Sequence, residues 1–333
     1  MIGAGMTGTP VVVTDCDHAT LDPEQAVLNA AGIGFRREQC RTAADVISRS
    51  AGARVLINQY SPITAEVLDA LPTVELVVRY GVGVDNVDVE AATRRGVWVA
   101  NVPDYGTDEV ADHALALALA LLRGVTVYDR SVRAGGWEYQ DARPLRRLSE
   151  LTFGVVGCGA IGQAVAARAA AFGPRVIGAD VLDGRPPGPI ERVELAELLA
   201  VSDVISLHAT LDADSRGLIG EQALAACKPT AVVVNTARGG LIDTTALLAA
   251  LDAGAIAGAA LDVLDPEPPD AATREALDRH PRVILTPHAA WYSEESFVQL
   301  KTEVAREAVR VCQGGPPRSP VNRPAQKSSE VAG

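Results

Sequence analysis

A glycine-rich segment from Gly157 to Gly162 has the residue types and spacing that most clearly indicate chemistry in this chain. It reads G-x-G-x-x-G, and Asp180 follows it about 20 residues later. In such a segment the glycines permit a tight turn, a close approach of the backbone to a pyrophosphate and a close contact between helix and strand. The free N–H groups of the following helix attract phosphates, and the later acid suits the ribose hydroxyls. The pattern therefore predicts a dinucleotide site.

The residues around this segment have the patterns of a strand, a helix and a second strand. Residues 153–156 are apolar and suit a buried parallel strand, 163–172 have an alanine-rich helical pattern, and 175–179 suit a second strand. Another match to the glycine pattern, at residues 3–8, has no strand before it and has Pro10 soon after it. That earlier match indicates a flexible tail, so we predict one dinucleotide site only.

Four more polar residues lie at the carboxyl ends of predicted strands, directly after the strand or within a few residues of it: His208, Arg238, Glu267 and His288. Ligands of open α/β sheets bind at the carboxyl ends of strands. A histidine can exchange a proton near neutral pH, a nearby carboxylate favours its protonated form, and an arginine offers paired donors to a carboxylate. The chemistry by itself leaves an ordinary interpretation open, in which His288 and Glu267 are solvated loop residues and Arg238 is a surface arginine.

Two sets of alternating strands and helices must position these residues, and such alternation predicts parallel sheets. The first set has strands near 11–13, 53–57, 76–79 and 97–100 and helices near 23–31, 63–70 and 89–95. Helices near 108–122 and 128–134 follow. The second set has strands near 153–156, 175–179, 204–207, 231–235, 258–263 and 283–285, and helices near 163–172, 244–253 and 293–311.

The composition excludes several classes of protein. With 333 residues, 48% of them hydrophobic, the chain suits two domains. A net charge of −12 without a basic patch argues against direct nucleic-acid binding. The five cysteines are scattered and never form C-x-x-C, which argues against disulfides and metal sites and favours a cytoplasmic location. The start is not a signal peptide, and the longest apolar run, 114–122, is too short to span a membrane.

Four motifs in order resemble the D-isomer-specific 2-hydroxyacid dehydrogenases over residues 10–315. They are the glycine segment with its acid, VVNTARGG at 233–240, LDVLDPEPP at 261–269 and TPHAAWYS at 286–293. Within that family HAAWYS, ARPLRRL at 142–148 and RYGVGVDNVD at 79–88 most resemble the C-terminal-binding-protein branch. That branch includes corepressors that keep a dehydrogenase site.

The resemblance implies an α/β fold with two doubly wound parallel-sheet domains. A flavodoxin-like substrate domain would comprise 10–103 and 291–320, and a Rossmann cofactor domain would be inserted at 104–290. Residues 1–9 and 321–333 would be flexible tails. The family also implies a homodimer, helped by the long helix near 108–122.

The resemblance assigns roles to the residues at the strand ends. His288 would exchange the proton, Glu267 would tune it, and Arg238 would orient a 2-oxo acid. The substrate-binding residues implied are Arg79, Val82, Gly83 and Trp291. The cofactor-binding residues implied are Val110, Gly157, Gly159, Ala160, Ile161, Gly162, Asp180, His208, Ala209, Thr210, Thr236, Ala237 and Asp262.

The expected cofactor is NAD and not NADP, because Asp180 would repel a 2′-phosphate. Arg185 lies nearby and leaves some use of NADP open. Formate dehydrogenases of the family carry Gln at the position of Glu267, so the acid favours oxo/hydroxy chemistry. Phosphite dehydrogenases keep the same three residues and are not excluded.

The function expected from the sequence is therefore NAD-dependent hydride transfer to or from C2 of a D-2-hydroxy acid or 2-oxo acid. The alternative is an NAD(H)-sensing, corepressor-like interaction protein. The partners expected are a small acid substrate and a second copy of the chain, with no nucleic acid, membrane or metal. The residues do not identify which acid is the substrate, because pocket walls come from loops.

Overall fold

The computed structural model describes residues 9–181 and 188–324. The chain divides into two compact units. Unit 1 contains the described residues up to Tyr105 and those from Ser293 onward, and unit 2 runs from Gly106 to Tyr292. Both units are parallel α/β sheets with helices, as the alternating pattern predicts.

Unit 1 is built on a five-stranded parallel sheet in the order β2-β1-β3-β4-β5. The central strands are short runs of buried aliphatic residues, the composition expected where helices cover both faces. In chain order the strands are β1 (Val11–Val13), β2 (Phe35–Arg37), β3 (Val55–Asn58), β4 (Leu76–Arg79) and β5 (Trp98–Ala100). The helices are α1 (Asp22–Ala30), α2 (Ala43–Arg49), α3 (Ala65–Ala70) and α4 (Val89–Arg94), and α12 (Glu294–Cys312) returns to this unit at the end of the chain.

Unit 2 is built on a seven-stranded parallel sheet in the order β12-β11-β10-β9-β6-β7-β8. Its strands are β6 (Thr152–Val156), β7 (Arg175–Ala179), β8 (Glu191–Arg192), β9 (Val204–Leu207), β10 (Val232–Asn235), β11 (Gly258–Leu261) and β12 (Val283–Leu285). Its helices are α5 (Thr107–Leu122), α6 (Val125–Arg133), α7 (Ala160–Ala170), α8 (Leu195–Val201), α9 (Glu221–Ala225), α10 (Thr244–Asp252) and α11 (Ala271–Asp278).

The strand order of unit 2 reverses beside β6, because β7 lies on one side of β6 and β9 on the other. Such a reversal opens a crevice at the carboxyl ends of the two strands, where ligands of doubly wound sheets bind. The glycine segment begins directly after β6, and His208 follows β9. The topology therefore places the predicted cofactor residues at the crevice of the sheet.

The structure contains helices and strands that the sequence pattern does not predict. In unit 1 these elements are β2 and α2; in unit 2 they are β8, α8, α9 and α11.

The prediction of a flexible tail at 321–333 does not hold for residues 321–324. Val321 N–H donates to Val99 O at 2.8 Å, and Val99 N–H donates to Asn322 Oδ1 at 2.8 Å. The rest of that tail, and residues 1–8 of the other, lie outside the described residues.

Among the described residues no single helix is long and apolar enough to cross a membrane. Helices α5 and α6 meet such a length and composition criterion only as a pair, with a bend of 61° between them. One face of α5 is packed in the core of unit 2 through Ala111, Ala114 and Ala118.

Candidate active site

The glycine segment forms a tight loop from β6 into α7. Gly157 has φ +89°, and a Cβ at this position would lie 2.5 Å from Ala209 N and 2.6 Å from the carbonyl carbon of His208. A side chain there would overlap the backbone that follows β9. A Cβ on Gly162 would likewise overlap the carbonyl oxygen of Gly157. These two positions require glycine so that α7 can begin directly against the ends of β6 and β9.

Asp180 lies at the end of β7 and reaches over the glycine loop. Its Oδ2 accepts the backbone N–H of Cys158 at 2.6 Å. Arg192 lies on β8, the strand next to β7 in the sheet. Its Nη2 donates to the Asp180 carbonyl oxygen at 3.2 Å. The sequence interpretation missed Arg192, because strand β8 was not predicted. Arg185 lies outside the described residues.

These residues surround a cleft of about 970 Å³ at the carboxyl ends of the strands. The cleft is large enough for a drug-sized ligand or larger, which matches the size of a dinucleotide. Of the predicted cofactor residues it is lined by Gly157, Gly159, Asp180, His208, Ala209 and Thr210. The structure thus brings the glycine loop, the terminal acid and the end of β9 together, as the motif predicts.

Two buried polar atoms beside the cofactor loops support this assignment. Among the described residues, His208 Nδ1 and Thr236 Oγ1 are buried without a hydrogen-bond partner. His208 Nε2 is 2.8 Å from Ser206 Oγ, and burial lowers the pKa of His208 to about 3, so the ring is neutral. Buried polar atoms are normally hydrogen-bonded. A polar ligand such as a dinucleotide would satisfy them, and the residues present therefore fit this group.

Four further residues that are predicted to bind the cofactor have apolar side chains. Ala160 and Ile161 form the first turn of α7, and Ala237 follows Thr236 after β10. Val110 is buried on α5. None of these four side chains can donate or accept a hydrogen bond, so any contact with the cofactor would use their surfaces or their backbone.

His288 and Glu267 form a close pair at the ends of β12 and β11. His288 Nδ1 lies 2.7 Å from Glu267 Oε2, and the two side chains are about one third exposed. Glu267 Oε1 accepts the backbone N–H of Leu264 at 3.0 Å, which fixes the carboxylate. A carboxylate at Nδ1 orients the ring and leaves Nε2 as the atom that can exchange a proton with a ligand.

Arg238 lies at the end of β10, which is the neighbour of β11 in the sheet. Asn235 Nδ2 donates to the Arg238 carbonyl oxygen at 2.8 Å, and Arg238 Nη1 donates to Ala237 O at 2.7 Å. A Cβ on Gly239 would overlap the carbonyl group of Leu264, so the loop after β10 touches the loop that carries Glu267. Three adjacent strands therefore carry the arginine, the acid and the histidine at the same edge of the sheet.

Asp262 holds the turn that carries His288. Its side chain is 1% exposed, Oδ1 accepts from Thr286 Oγ1 at 2.5 Å and from Ala289 N–H at 2.9 Å, and Oδ2 accepts from Ala290 N–H at 2.9 Å. The Asp262 carbonyl oxygen accepts the His288 N–H at 2.8 Å. The family resemblance implies that this acid binds the cofactor, and no pattern in the sequence indicates its contacts with the turn.

His113 on α5 joins the same network, because its Nε2 lies 3.1 Å from Thr286 Oγ1 and 3.7 Å from Asp262 Oδ1. No motif in the sequence connects His113 with Thr286, because 173 residues separate them. No group of His, Cys, Asp and Glu side chains with metal-binding geometry is found in residues 9–181 and 188–324.

The substrate residues predicted in unit 1 are the last residue of β4, Arg79, and two residues of the loop that follows it, Val82 and Gly83. Arg79 is half-buried, and its Nε donates to Gln59 O at 3.3 Å. Val82 is 40% exposed, and its carbonyl oxygen accepts from Asn101 Nδ2 at 2.6 Å. Gly83 follows Val82 in the same half-exposed loop.

Trp291, the fourth residue predicted to bind the substrate, belongs to unit 2. A Cβ on Gly106 would lie 3.4 Å from the Trp291 Cβ, and the Trp291 ring meets the Tyr292 ring edge to face at 5.7 Å.

Comparisons with known proteins identify the family of this chain. The sequence model of the family described as D-isomer specific 2-hydroxyacid dehydrogenase, NAD binding domain, matches residues 115–290. A glyoxylate reductase of Korarchaeum cryptofilum is 41% identical over 79% of this chain and 80% of its own length. A glycerate dehydrogenase of Methylorubrum extorquens is 36% identical over 90% of this chain and 96% of its own length.

A solved structure is similar over nearly the whole chain. The D-lactate dehydrogenase from Aquifex aeolicus, complexed with NAD and lactic acid, has a TM-score of 0.84 and 27% identity. The match covers 91% of this chain and 96% of that chain. Together with the glycine loop, the sheet order and the strand-end residues of unit 2, these similarities show that the chain belongs to the D-isomer-specific 2-hydroxyacid dehydrogenase family, and that unit 2 carries its NAD-binding domain.

Proposed function

We propose that the protein is an NAD-dependent oxidoreductase that interconverts a small 2-oxo acid and the corresponding D-2-hydroxy acid, with Arg238, Glu267 and His288 as its catalytic residues. The observation that carries the proposal is the 2.7 Å contact between His288 Nδ1 and Glu267 Oε2. Glu267 follows β11, whose neighbour in the sheet is β10, the strand that leads to Arg238. The names of the relatives, glyoxylate reductase and glycerate dehydrogenase, support a small acid as the substrate.

The roles of the residues follow from their chemistry. When bound, reduced NAD supplies a hydride to C2 of the 2-oxo acid. As the new C–H bond forms, the electron pair of the C=O double bond moves to the oxygen, which takes the proton from His288 Nε2. Glu267 stabilises the protonated ring through Nδ1 before the transfer. In the oxidation direction neutral His288 accepts the proton back.

The substrate acid needs groups that hold its carboxylate and its carbonyl oxygen. We assign the carbonyl oxygen and one carboxylate oxygen to Arg238, because its guanidinium offers two donors in one plane. Arg79 and the backbone of Val82 and Gly83 are proposed to contact the carboxylate, and Trp291 to form the wall of the side-chain pocket.

The cofactor assignment is NAD, bound with its pyrophosphate at the N-terminus of α7 and its adenosine ribose beside Asp180. The N-terminus of a helix attracts anions through its free N–H groups and its dipole. A carboxylate at the position of Asp180 accepts from the ribose hydroxyls and repels a 2′-phosphate.

Replacing the proposed proton donor tests the activity. We expect wild-type protein to oxidise NADH, followed at 340 nm, with at least one small 2-oxo acid, and His288→Ala to lose at least about 100-fold in kcat, since a positioned acid contributes about that much. His280→Ala is the control, because His280 is a partly buried histidine that pairs with Asp252 at 3.5 Å. Equal kcat values for His288→Ala and the wild type would contradict the assignment.

The alternative function gives a different outcome in the same experiment. Wild-type protein that binds NADH tightly, turns over no 2-oxo acid and retains a partner protein would be an NAD(H)-sensing interaction protein like the corepressors of the C-terminal-binding-protein branch. The resemblance of HAAWYS and RYGVGVDNVD to that branch supports a relationship to it. The pairing of His288 with Glu267 provides the proton donor that the enzyme needs. Because the corepressors of that branch keep the same site, turnover of a 2-oxo acid is the result that separates the two functions.

We also propose that the protein is a cytoplasmic homodimer. All five cysteines are free thiols, which suits a reducing compartment. Unit 2 exposes apolar side chains in and after α6, with Trp137 84% exposed and Tyr139 68% exposed. Such a surface marks a contact with another molecule, and a second copy of the chain is the partner that the family resemblance implies.

A further inference from the structure

A lysine and a glutamate are fully buried together in unit 1. Lys301 of α12 and Glu24 of α1 have side chains that are 0% exposed, and Lys301 Nζ lies 3.2 Å from Glu24 Oε1. Lys301 Nζ also donates to the carbonyl oxygen of Thr20 and lies 3.4 Å from His18 Nδ1. The ammonium group therefore has an acceptor for each of its three protons.

Stability alone does not account for this pair. Burial raises the pKa of Glu24, while the hydrogen bond from Tyr80 and the charge of Lys301 act in the opposite direction. Apolar residues of similar volume are often as stabilising as a buried ion pair, or more so. The pair is better explained by the group that it holds in place.

That group is the hydroxyl of Tyr80, which donates to Glu24 Oε1 at 2.7 Å. Tyr80 is 3% exposed and follows Arg79 directly at the end of β4. Successive residues of an extended chain point to opposite sides. Because Tyr80 follows Arg79 directly, a fixed Tyr80 ring restricts the backbone that carries the Arg79 guanidinium, whose Nε donates to Gln59 O at 3.3 Å.

The residues next to Tyr80 are also held in place by contacts with their neighbours. Gly81 has φ +129°, and a Cβ on it would overlap Arg79 Nη1. The Gly81 carbonyl oxygen accepts from Val102 N–H at 3.0 Å, and Tyr80 N–H donates to Asn58 O at 2.8 Å. The backbone from 79 to 82 is therefore held by its neighbours in the sheet and, through one side chain, by the buried ion pair.

We propose that Tyr80, held by Glu24 and Lys301, is a positioning residue that fixes Arg79 and the backbone of Val82 and Gly83 for binding of the substrate carboxylate. The link to the carboxylate rests on the proposed function. The link between the buried pair and the conformation of residues 79–83 stands on the contacts within unit 1 alone. Neither Glu24 nor Lys301 is expected to touch a ligand, since both are fully buried.

Tyr80→Phe tests the proposal, because it removes one hydroxyl group and leaves the ring. We expect KM for the best 2-oxo acid to rise about tenfold, the effect of one lost hydrogen bond to a charged group, while kcat and the dissociation constant for NADH stay near the wild-type values. Val304→Ala is the matched control, because Val304 is a fully buried residue of α12. Its truncation loosens the same helix but leaves the side chains of Tyr80, Glu24 and Lys301 in place. An unchanged KM in Tyr80→Phe would overturn the proposal.

Hydrogen exchange of the full chain gives a second measurement that does not need activity. Amides of residues 79–87 should exchange about tenfold faster in Tyr80→Phe than in the wild type, because the segment opens more often, and Val304→Ala should leave this ratio near one. Equal exchange in Tyr80→Phe and the wild type, or equal acceleration by Val304→Ala, would overturn the positioning role. A wild-type protein that reduces no 2-oxo acid would refute the proposed function, and the exchange comparison would still decide whether Tyr80 holds the segment.

Discussion

At the scale of single residues, the position of His288 depends on an unusual backbone conformation. In the part of the chain that the structure describes, His288 is the only residue other than glycine with a positive φ, +54°. A side chain in this region is uncommon and persists where surrounding contacts require it. Those contacts come from Asp262, whose carboxylate accepts from Ala289 and Ala290 and whose carbonyl oxygen accepts from His288. Asp262 therefore holds the turn in addition to any contact with a cofactor.

Asp262→Asn should lower kcat about 100-fold, because a small displacement of a catalytic group has an effect of this size. The amide keeps the volume of the side chain but replaces one of the two oxygens that accept from the turn. Steady-state kinetics with the best acid would measure the loss. Asp265→Asn, which changes an exposed acid paired with Arg216, is the control and should retain wild-type kcat. A kcat unchanged by Asp262→Asn would show that the turn does not need the carboxylate.

Asp180→Ala should reduce the preference for NADH over NADPH in kcat/KM by about tenfold or more, since one charged hydrogen bond to the ribose is lost. Removal of the acid also takes a negative charge away from the neighbourhood of Arg192, whose Nη2 donates to the carbonyl oxygen of residue 180. Asp180→Asn separates two effects, because an amide can still accept from Cys158 N–H but does not repel a phosphate. If both variants keep the wild-type ratio, Asp180 does not select the cofactor.

At the scale of helices and strands, buried regular elements could be predicted and polar ones could not. Strand β1 is a continuous aliphatic run, and β4 and β9 are aliphatic except for Arg79 and Ser206. Such runs bounded by turns indicate buried parallel strands. Strand β2 reads Phe-Arg-Arg, is half-exposed at the edge of its sheet and has no apolar pattern. Helix α2 has a short signal at its start and no longer apolar pattern: Thr42 and Asp45 form a capping box, which the sequence shows as T-x-x-D.

The end of the described chain is an element that composition misrepresents. Residues 314–333 are rich in Pro, Ser and Gly, which predicts a flexible tail. Asn322 is nevertheless 8% exposed, accepts from Val99 N–H at 2.8 Å and donates to Val97 O at 3.0 Å. A single amide side chain thus bonds the edge strand β5, and neither hydropathy nor periodicity reveals such a contact.

Asn322→Ala should lower the free energy of unfolding by about 1–3 kcal/mol, because it leaves buried backbone groups of β5 without partners. Urea unfolding followed by circular dichroism would measure the change. Arg323→Ala, at the exposed neighbouring position, should have little effect. Equal stability of Asn322→Ala and the wild type would mean that the end of the chain contributes nothing to unit 1.

At the scale of the whole molecule, motifs predicted the fold and the cofactor loop, but not the networks behind the site. The glycine motif specifies local backbone geometry, so its structure follows from nearby residues. The contacts of His113 with Thr286, and of Lys301 with Glu24, join residues more than a hundred positions apart. Such contacts follow from packing of the complete fold, and one sequence contains no periodic signal for them.

One buried histidine in each unit should make the molecule sensitive to acid. Burial and, to a smaller extent, the charge of Lys301 together lower the pKa of His18 from its ordinary 6.5 to about 4. Burial lowers the pKa of His208 to about 3. The unfolded chain therefore binds protons below about pH 6.5 that the folded chain does not bind until about pH 4 or below. The part of the free energy of unfolding that depends on these two histidines is fully present above about pH 6.5. It should be lost as the pH falls through this window.

Replacement of His18 by Gln should remove part of this pH dependence. The shift of His18 from 6.5 to about 4 corresponds to roughly 3 kcal/mol of stability lost between these pH values. Urea unfolding of wild type and His18→Gln at pH 6.5 and pH 4.5 would show a smaller pH difference in the variant. The same difference in both proteins would mean that His18 does not contribute.

The most direct test of the central claim is NAD⁺ reduction by the two enantiomers of small 2-hydroxy acids, such as lactate and glycerate. We predict turnover with the D enantiomer of at least one acid, little with its L enantiomer, and loss of that turnover in His288→Ala. Turnover of the L enantiomer, or equal turnover of both, would contradict the assignment of the D-specific reaction to this site. The absence of turnover with both enantiomers and with the 2-oxo acids, in a protein that still binds NADH, would contradict the proposal that it is an enzyme.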